Sequence, residues 1–112
     1  MRGLMLIVAL AAVPARAEEA RLDGEAVAAA VSGQILAYED GTLQVFGADD
    51  ETIFDFRTQS LGHWEVRGNR YCAAWPPAEA WACYEVTAGG DGRSIAFIAP
   101  DGSTRTGQYV RR

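Results

Sequence analysis

His63 and Glu65 are the residue pair best suited by type and spacing to catalyse a reaction. They lie two positions apart on a segment that alternates apolar and polar residues. Such alternation predicts a β-strand, and residues two apart then project from the same face. A histidine beside a carboxylate can act as a general acid and base near neutral pH. No nucleophile accompanies the pair, because only a bent strand would bring the nearby Ser60 to His63. An exposed polar pair is therefore the favoured interpretation, and no catalytic residue is predicted.

Acidic turns are the second chemical candidate, because Ca²⁺ takes roughly six to eight oxygen ligands. Asp49-Asp50-Glu51 is such a cluster, but the D-x-D-x-D-G spacing of a calcium loop is absent. A zinc site is not favoured either, because His63 is the sole histidine and there is no second cysteine pair. The sequence predicts neither a metal site nor a cofactor.

Cys72 and Cys83 are the two cysteines of the chain. A redox-active pair usually has C-x-x-C spacing, whereas ten residues separate these two. An even, closely spaced pair in an oxidising compartment is typical of a structural disulfide. We therefore predict a disulfide between Cys72 and Cys83.

The N-terminus has the pattern of a signal peptide. Arg2 precedes an apolar run over residues 4–13, and an A-x-A cleavage site follows at Ala15 and Ala17. The run is shorter than the roughly 20 residues that span a bilayer, but it suits the apolar region of a signal peptide. A retained anchor or a buried N-terminal helix is the alternative. Cleavage after Ala17 predicts a periplasmic or secreted protein that is free of the membrane.

Removal of residues 1–17 leaves 95 residues, which is enough for one domain. It also moves the formal net charge from −5 to −7, because Arg2 and Arg16 are lost. An acidic chain without a basic block argues against binding to nucleic acid or to anionic lipid. The expected partner is an unidentified protein or a small apolar ligand, and a monomer is expected.

The remaining chain predicts an all-β domain behind a short helix. Residues 18–33 have a helical pattern, in which Asp23 can cap the helix and Gly33 can stop it. Over residues 34–112, turn signals recur about every ten residues between β-branched and aromatic segments, which is typical of an antiparallel meander closing into a barrel or a sandwich. Eight strands are predicted: 34–38, 42–47, 52–57, 61–67, 70–75, 80–87, 93–99 and 104–110.

Turns assign the faces of these strands, because facing residues of an antiparallel pair project to the same side. A two-residue turn at Asp40-Gly41 predicts an inward face made of Leu36, Tyr38, Leu43 and Val45.

A two-residue turn at residues 68–69, with Cys72 opposite Cys83, predicts an inner aromatic face and an outer face that crosses the disulfide. The inner aromatics either fill the core or line a pocket for an apolar or ring-shaped ligand. The inner face carries Trp64, Tyr71, Trp75 and Tyr84, and the outer, solvent-facing side carries His63, Glu65, Cys72, Ala74, Trp81, Cys83 and Glu85.

The segment 62–86 also resembles a known pattern. It contains Gly62-His63-Trp64-Glu65-Val66, then Tyr71-Cys72 and Trp75, then Cys83-Tyr84-Glu85-Val86. This G-x-W-x-V hairpin followed by C…W…C-aromatic-x-V resembles small exported bacterial all-β domains of uncharacterised function, and the resemblance implies an architecture without an activity. In size, compartment and disulfide use the chain is also similar to periplasmic lysozyme inhibitors of the small β-barrel type, whose inhibitory loop is not matched here.

Together these patterns predict an exported binding domain that is not an enzyme. Its expected working surface is the hairpin from Trp75 to Trp81, with His63 and Glu65 beside it, because an exposed tryptophan on a rigid hairpin is a typical protein or glycan contact. Two alternatives stay open. The first is an inhibitor of a secreted hydrolase such as lysozyme, and the second is a small hydrolase that uses His63.

Overall fold

The fold is a closed antiparallel barrel of eight strands in sequence order, in which the last strand pairs with the first. The computed structural model describes residues 20–110, and this part of the chain confirms the all-β class, the barrel and the short helix. The predicted signal peptide, residues 1–17 with Ala15 and Ala17, lies outside the described residues. The elements are α1 (Gly24–Val31), β1 (Ile35–Tyr38), β2 (Leu43–Phe46), β3 (Glu51–Phe56), β4 (Thr58–Arg67), β5 (Arg70–Ala74), β6 (Trp81–Ala88), β7 (Ser94–Ile98) and β8 (Thr104–Tyr109).

Helix α1 begins at Gly24 because the Asp23 carboxylate caps it, accepting a hydrogen bond from the Ala26 N–H at 2.9 Å. It is shorter than the segment 18–33, since Arg21 already forms a β-bridge with Thr87. At the other end Gly33 takes a left-handed φ of 73°, which glycine adopts without steric cost. Within the described residues, no helix is long and apolar enough to cross a membrane.

Helix α1 covers one end of the barrel. Val27 and Val31 are fully buried in the core, and the Tyr109 hydroxyl donates to the Ala30 carbonyl at 2.7 Å. The Gly24 N–H donates to the Asn69 side-chain oxygen at 2.8 Å, which ties the start of the helix to the β4–β5 turn. The opposite end, where Tyr38, Trp75 and Arg105 lie, has no such cover from the described residues and is called the open end below.

The predicted pairing of β4, β5 and β6 is confirmed. Arg67 faces Arg70 across the turn at residues 68–69, and Tyr71 faces Tyr84. Cys72 faces Cys83, and the two cysteines form a disulfide.

The predicted inward face of the first hairpin is wrong in part. Its loop has three residues, because Asp40 accepts a hydrogen bond from the Thr42 N–H at 2.9 Å and the Tyr38 N–H donates to the Thr42 carbonyl at 2.8 Å. Leu36 consequently faces Gln44. A shift of one residue exchanges the two faces of a strand. Leu36 and Tyr38 point inward as predicted, but Leu43 and Val45 are 38% and 36% exposed.

Near the helix the barrel is filled. The Phe46 ring lies 5.7 Å from Tyr71 and 6.4 Å from both Trp64 and Phe97, measured between ring centroids. Such aromatic contacts pack an eight-stranded interior densely. This half of the barrel is an ordinary core.

Two small residues of the outer face are buried, although we expected that face to be solvent-exposed. Cys72 and Ala74 have almost no exposed surface. In the register Ala74 lies between His63 and Trp81, and Cys72 lies between Glu65 and Cys83, so each small residue is flanked by larger side chains or by the disulfide.

Candidate functional site

A cavity of about 170 Å³ lies inside the barrel at its open end. For scale, an apolar cavity of about 150 Å³ in another protein holds one benzene molecule. The cavity therefore has room for a single ring and its small substituents. Its lining is Tyr38, Gln44, Phe54, Tyr71, Ala73, Trp75, Tyr84, Phe97 and Arg105.

Trp75 forms one wall of the cavity, and its position depends on Phe54 and Gly62. The indole stacks on the Phe54 ring with centroids 4.3 Å apart and planes at 7°. A Cβ on Gly62 would lie 2.5 Å from Trp75 Cε3, so only glycine leaves space for the indole here. Trp75 therefore lies flat against β3 and β4, and the space in front of Ala73 stays open.

Gln44 provides a polar floor in this otherwise aromatic cavity. Its side chain is 3% exposed and contacts three hydroxyl groups. Nε2 donates to Thr52 Oγ1 at 2.9 Å and to the Tyr71 hydroxyl oxygen at 3.2 Å, and Oε1 accepts from the Tyr38 hydroxyl at 2.5 Å. A buried amide costs free energy unless it is hydrogen-bonded, and Gln44 is bonded through both its nitrogen and its oxygen.

The direction of these hydrogen bonds follows from Thr52. Its hydroxyl donates to the Val45 carbonyl at 2.9 Å, so its oxygen must accept from Gln44. This assigns Nε2 and Oε1 of the amide, whose orientation is otherwise ambiguous. The Tyr71 oxygen is then an acceptor of the hydrogen bond from Gln44 Nε2.

Arg105 stands at the mouth of the cavity. Its guanidinium carbon lies 4.2 Å from the Tyr38 ring centroid and 5.7 Å from that of Phe54, which is cation–π geometry. Its second contact is with Asp40, at 3.5 Å between Nη2 and Oδ2, and both side chains are about half exposed. The Thr42 backbone N–H lowers the pKa of Asp40, and the charge of Arg105 lowers it further. The mouth therefore carries one cation that is only loosely paired.

The two buried phenols of the cavity stay protonated in the folded protein. Burial raises the pKa of Tyr38 well above its ordinary value, although the nearby Arg105 opposes the shift. Burial also raises the pKa of Tyr71, against the lowering effect of the hydrogen bond from Gln44. Both hydroxyl groups are therefore neutral hydrogen-bond donors at physiological pH.

The predicted working hairpin does not form a single surface. Trp75 faces the cavity, whereas Trp81 lies on the outer wall and is 36% exposed. The Arg67 guanidinium lies 4.6 Å from the Trp81 ring centroid and also pairs with Glu65. Residues 75 and 81 come from different ends of the β5–β6 loop, and the barrel wall separates their side chains.

His63 and Glu65 lie on the same outer face of β4, as predicted, and Glu65 pairs with Arg67. Ser60, the nucleophile considered for hydrolysis, faces Phe54 and projects from the inner side of the same strand, away from His63. No group of three or more His, Cys, Asp or Glu side chains in residues 20–110 could hold a metal ion.

An aliphatic row crosses the outer wall as a consequence of the corrected register. Ile35 faces Val45, Val45 faces Ile53, and Ile53 faces Leu61. Leu61 is 53% exposed and Ile35 is 40% exposed. The row spans four neighbouring strands on the outside of the barrel.

Sequence reasoning missed Gln44, Phe54 and Arg105. A two-residue turn at Asp40-Gly41 implies that Gln44, between Leu43 and Val45, points outward, whereas the three-residue loop at Glu39–Gly41 places it inside. Arg105 lies two positions from Gly107, and both belong to the inner face, since Gly107 faces Tyr38 and Ile95. Residues 104–110 are mostly polar, so no alternation of apolar and polar residues marked this inner face in the sequence.

Comparison of the chain with protein-family models, with curated proteins and with solved structures finds no match in any of the three. The resemblance to small exported β-domains and to lysozyme inhibitors therefore stays a prediction.

Proposed function

We propose that the protein is an exported, non-enzymatic binding domain that holds a small ring-shaped ligand in the open end of its barrel. The observation that supports this most directly is the cavity of about 170 Å³ between Trp75, Tyr84 and Arg105. Aromatic rings around Phe46 occupy the interior at the helix end, and the cavity lies at the opposite end, which a ligand can reach. Eight-stranded barrels are wide enough to hold one small ligand.

Small-molecule sites are concave, mostly apolar and supplied with a few polar groups that orient the ligand. The cavity has this composition, because aromatic walls surround Gln44, two phenols and one guanidinium. Trp81 presents less free ring surface to a ligand, since the Arg67 guanidinium already covers part of its ring. The inner site is therefore a better candidate than the outer hairpin for the binding role.

The two alternative functions have weaker support. A hydrolase using His63 lacks a nucleophile on the same face of β4, because Ser60 projects inward. An inhibitor of a secreted hydrolase such as lysozyme would draw on the acidic net charge of the chain, which favours a basic partner.

Native mass spectrometry of the protein purified from the periplasm without reductant tests the proposal. The spectrum reports the cleavage site, the disulfide and any retained ligand together. We expect an added mass of a single-ring compound that is released on denaturation. Trp75→Ala should lose this mass, and Trp81→Ala, the matched control on the outer wall, should keep it. Equal loss in both variants would contradict the assignment of the cavity as the site, and a one-to-one complex with a protein would favour the inhibitor.

A further inference from the structure

The polar groups of the cavity are unevenly supplied with partners. Tyr71 is 4% exposed, and its hydroxyl interacts with the side chains of Gln44 and Thr52. The indole N–H of Trp75 and the hydroxyl of Tyr84, both half-buried at the cavity, have no hydrogen-bond partner among residues 20–110. Both groups are therefore open to a water molecule or a ligand.

Gln44 at the floor of the cavity is already bonded at both ends of its amide. Gln44 Oε1 accepts from the Tyr38 hydroxyl, and the Tyr71 oxygen accepts from Gln44 Nε2. The polar groups left for a ligand are therefore the Tyr84 hydroxyl, the Trp75 N–H and the Arg105 guanidinium. The indole and the guanidinium can only donate, so they fit a ligand group that accepts hydrogen bonds and do not fit an ammonium group.

Arg105 adds a positive charge to the same set of donors. Its ring contacts with Tyr38 and Phe54 hold the guanidinium at the mouth. Its ion pair with Asp40 is long, at 3.5 Å, and is half exposed, so a ligand anion can compete for it. A guanidinium can bind a carboxylate through two parallel hydrogen bonds.

We propose that the ligand is a planar, single-ring carboxylate. This inference rests on the proposed function, since it names the ligand class of the same cavity. The ring lies between Trp75 and Tyr84 in the aromatic part of the cavity. The carboxylate accepts hydrogen bonds from Arg105 and from the unpaired donors, and the cavity volume limits the ligand to one ring with small substituents.

Isothermal titration calorimetry of the disulfide-bonded protein tests this with four probes of the same size: benzoate, benzamide, benzyl alcohol and benzylamine. A hydrogen bond to a charged group is worth about 1.5–3 kcal/mol, so benzoate should bind at least about tenfold more tightly than the neutral probes, and benzylamine should bind most weakly. Equal binding of benzoate and benzamide would overturn the ligand class but leave the binding site. Failure of all four probes to bind at millimolar concentration would overturn the proposed function as well.

Single substitutions test which side chains cause the expected preference for benzoate over benzamide. Arg105→Gln should reduce benzoate affinity about tenfold or more and leave benzamide affinity within about twofold. Asp40→Asn should raise benzoate affinity, because it removes the competing carboxylate and keeps an oxygen that can accept from the Thr42 N–H. Arg93→Gln, on an exposed turn at the helix end, is the matched control and should change nothing. An unchanged benzoate affinity in both Arg105→Gln and Asp40→Asn would overturn the proposal.

Discussion

Gly62 lies so close to the Trp75 indole that a methyl group at this position would come within 2.5 Å of Trp75 Cε3 and 2.8 Å of the Ala74 carbonyl oxygen. Gly62→Ala should therefore displace the indole and reduce the free energy of unfolding by about 1–3 kcal/mol, the usual cost of overpacking. Urea denaturation measures this cost. In a Trp75→Ala background the same substitution should cost less, because one of the two close contacts is gone. An identical cost in both backgrounds would show that the indole does not constrain Gly62.

Gln44 should be the most sensitive polar residue of the barrel interior. Gln44→Leu keeps the approximate volume but removes the bonds to Tyr38, Thr52 and Tyr71. It leaves buried hydroxyl groups without a partner, so we expect a loss of at least about 2 kcal/mol in the free energy of unfolding. Gln59→Leu is the matched control, because Gln59 is exposed on β4 and its bond to Asp55 is 3.3 Å long. It should stay within about 0.5 kcal/mol of the parent protein, and an equal loss in both variants would count against the buried network.

Reduction of the disulfide should weaken the domain without changing its fold. Cys72 and Cys83 are separated by 11 positions. Closing a loop of this length lowers the conformational entropy of the unfolded chain, which stabilises the folded state by roughly 2–3 kcal/mol. Thermal unfolding with and without reductant should therefore differ by about 10 °C or more. A Cys72→Ala, Cys83→Ala double variant should melt near the reduced protein and be insensitive to reductant. A melting temperature that ignores reductant in the parent protein would contradict the structural role of the bond.

Alkaline pH should destabilise the barrel through its two buried phenols. The folded state keeps Tyr38 and Tyr71 protonated at a pH where the unfolded chain ionises them. Their contribution to the free energy of unfolding is therefore fully present below about pH 10 and is lost as the pH rises beyond it. Near-ultraviolet absorbance of tyrosinate should show a fraction of the four tyrosines titrating only as the protein unfolds. Tyr71→Phe should reduce this late fraction, and complete titration before unfolding would contradict the burial of these groups.

Local signals were sufficient for the architecture. Turn residues at regular spacing marked all eight strands to within a few positions, and the disulfide set the register of β5 and β6 because facing cysteines allow only one alignment. The Asp23 cap likewise marked the start of the helix. These features depend on neighbours in sequence or on a covalent bond, which a single sequence contains.

The site depended on features that pattern reading resolves poorly. One extra residue in the loop at Asp40 placed Gln44 in the core and turned Leu43 and Val45 outward. The cavity itself depends on how Trp75 packs against Gly62 and Phe54, and these residues come from three different strands or loops. Side-chain packing over such distances follows from the closed barrel and not from any local pattern.

A crystal structure with 4-bromobenzoate would locate the binding site most directly, because bromine gives an anomalous signal that marks its position. The cavity predicts one strong peak inside the open end, between Trp75 and Tyr84, with the carboxylate toward Arg105. A peak on the outer wall beside Trp81, or no peak at saturating concentration, would contradict the assignment of the cavity as the ligand site.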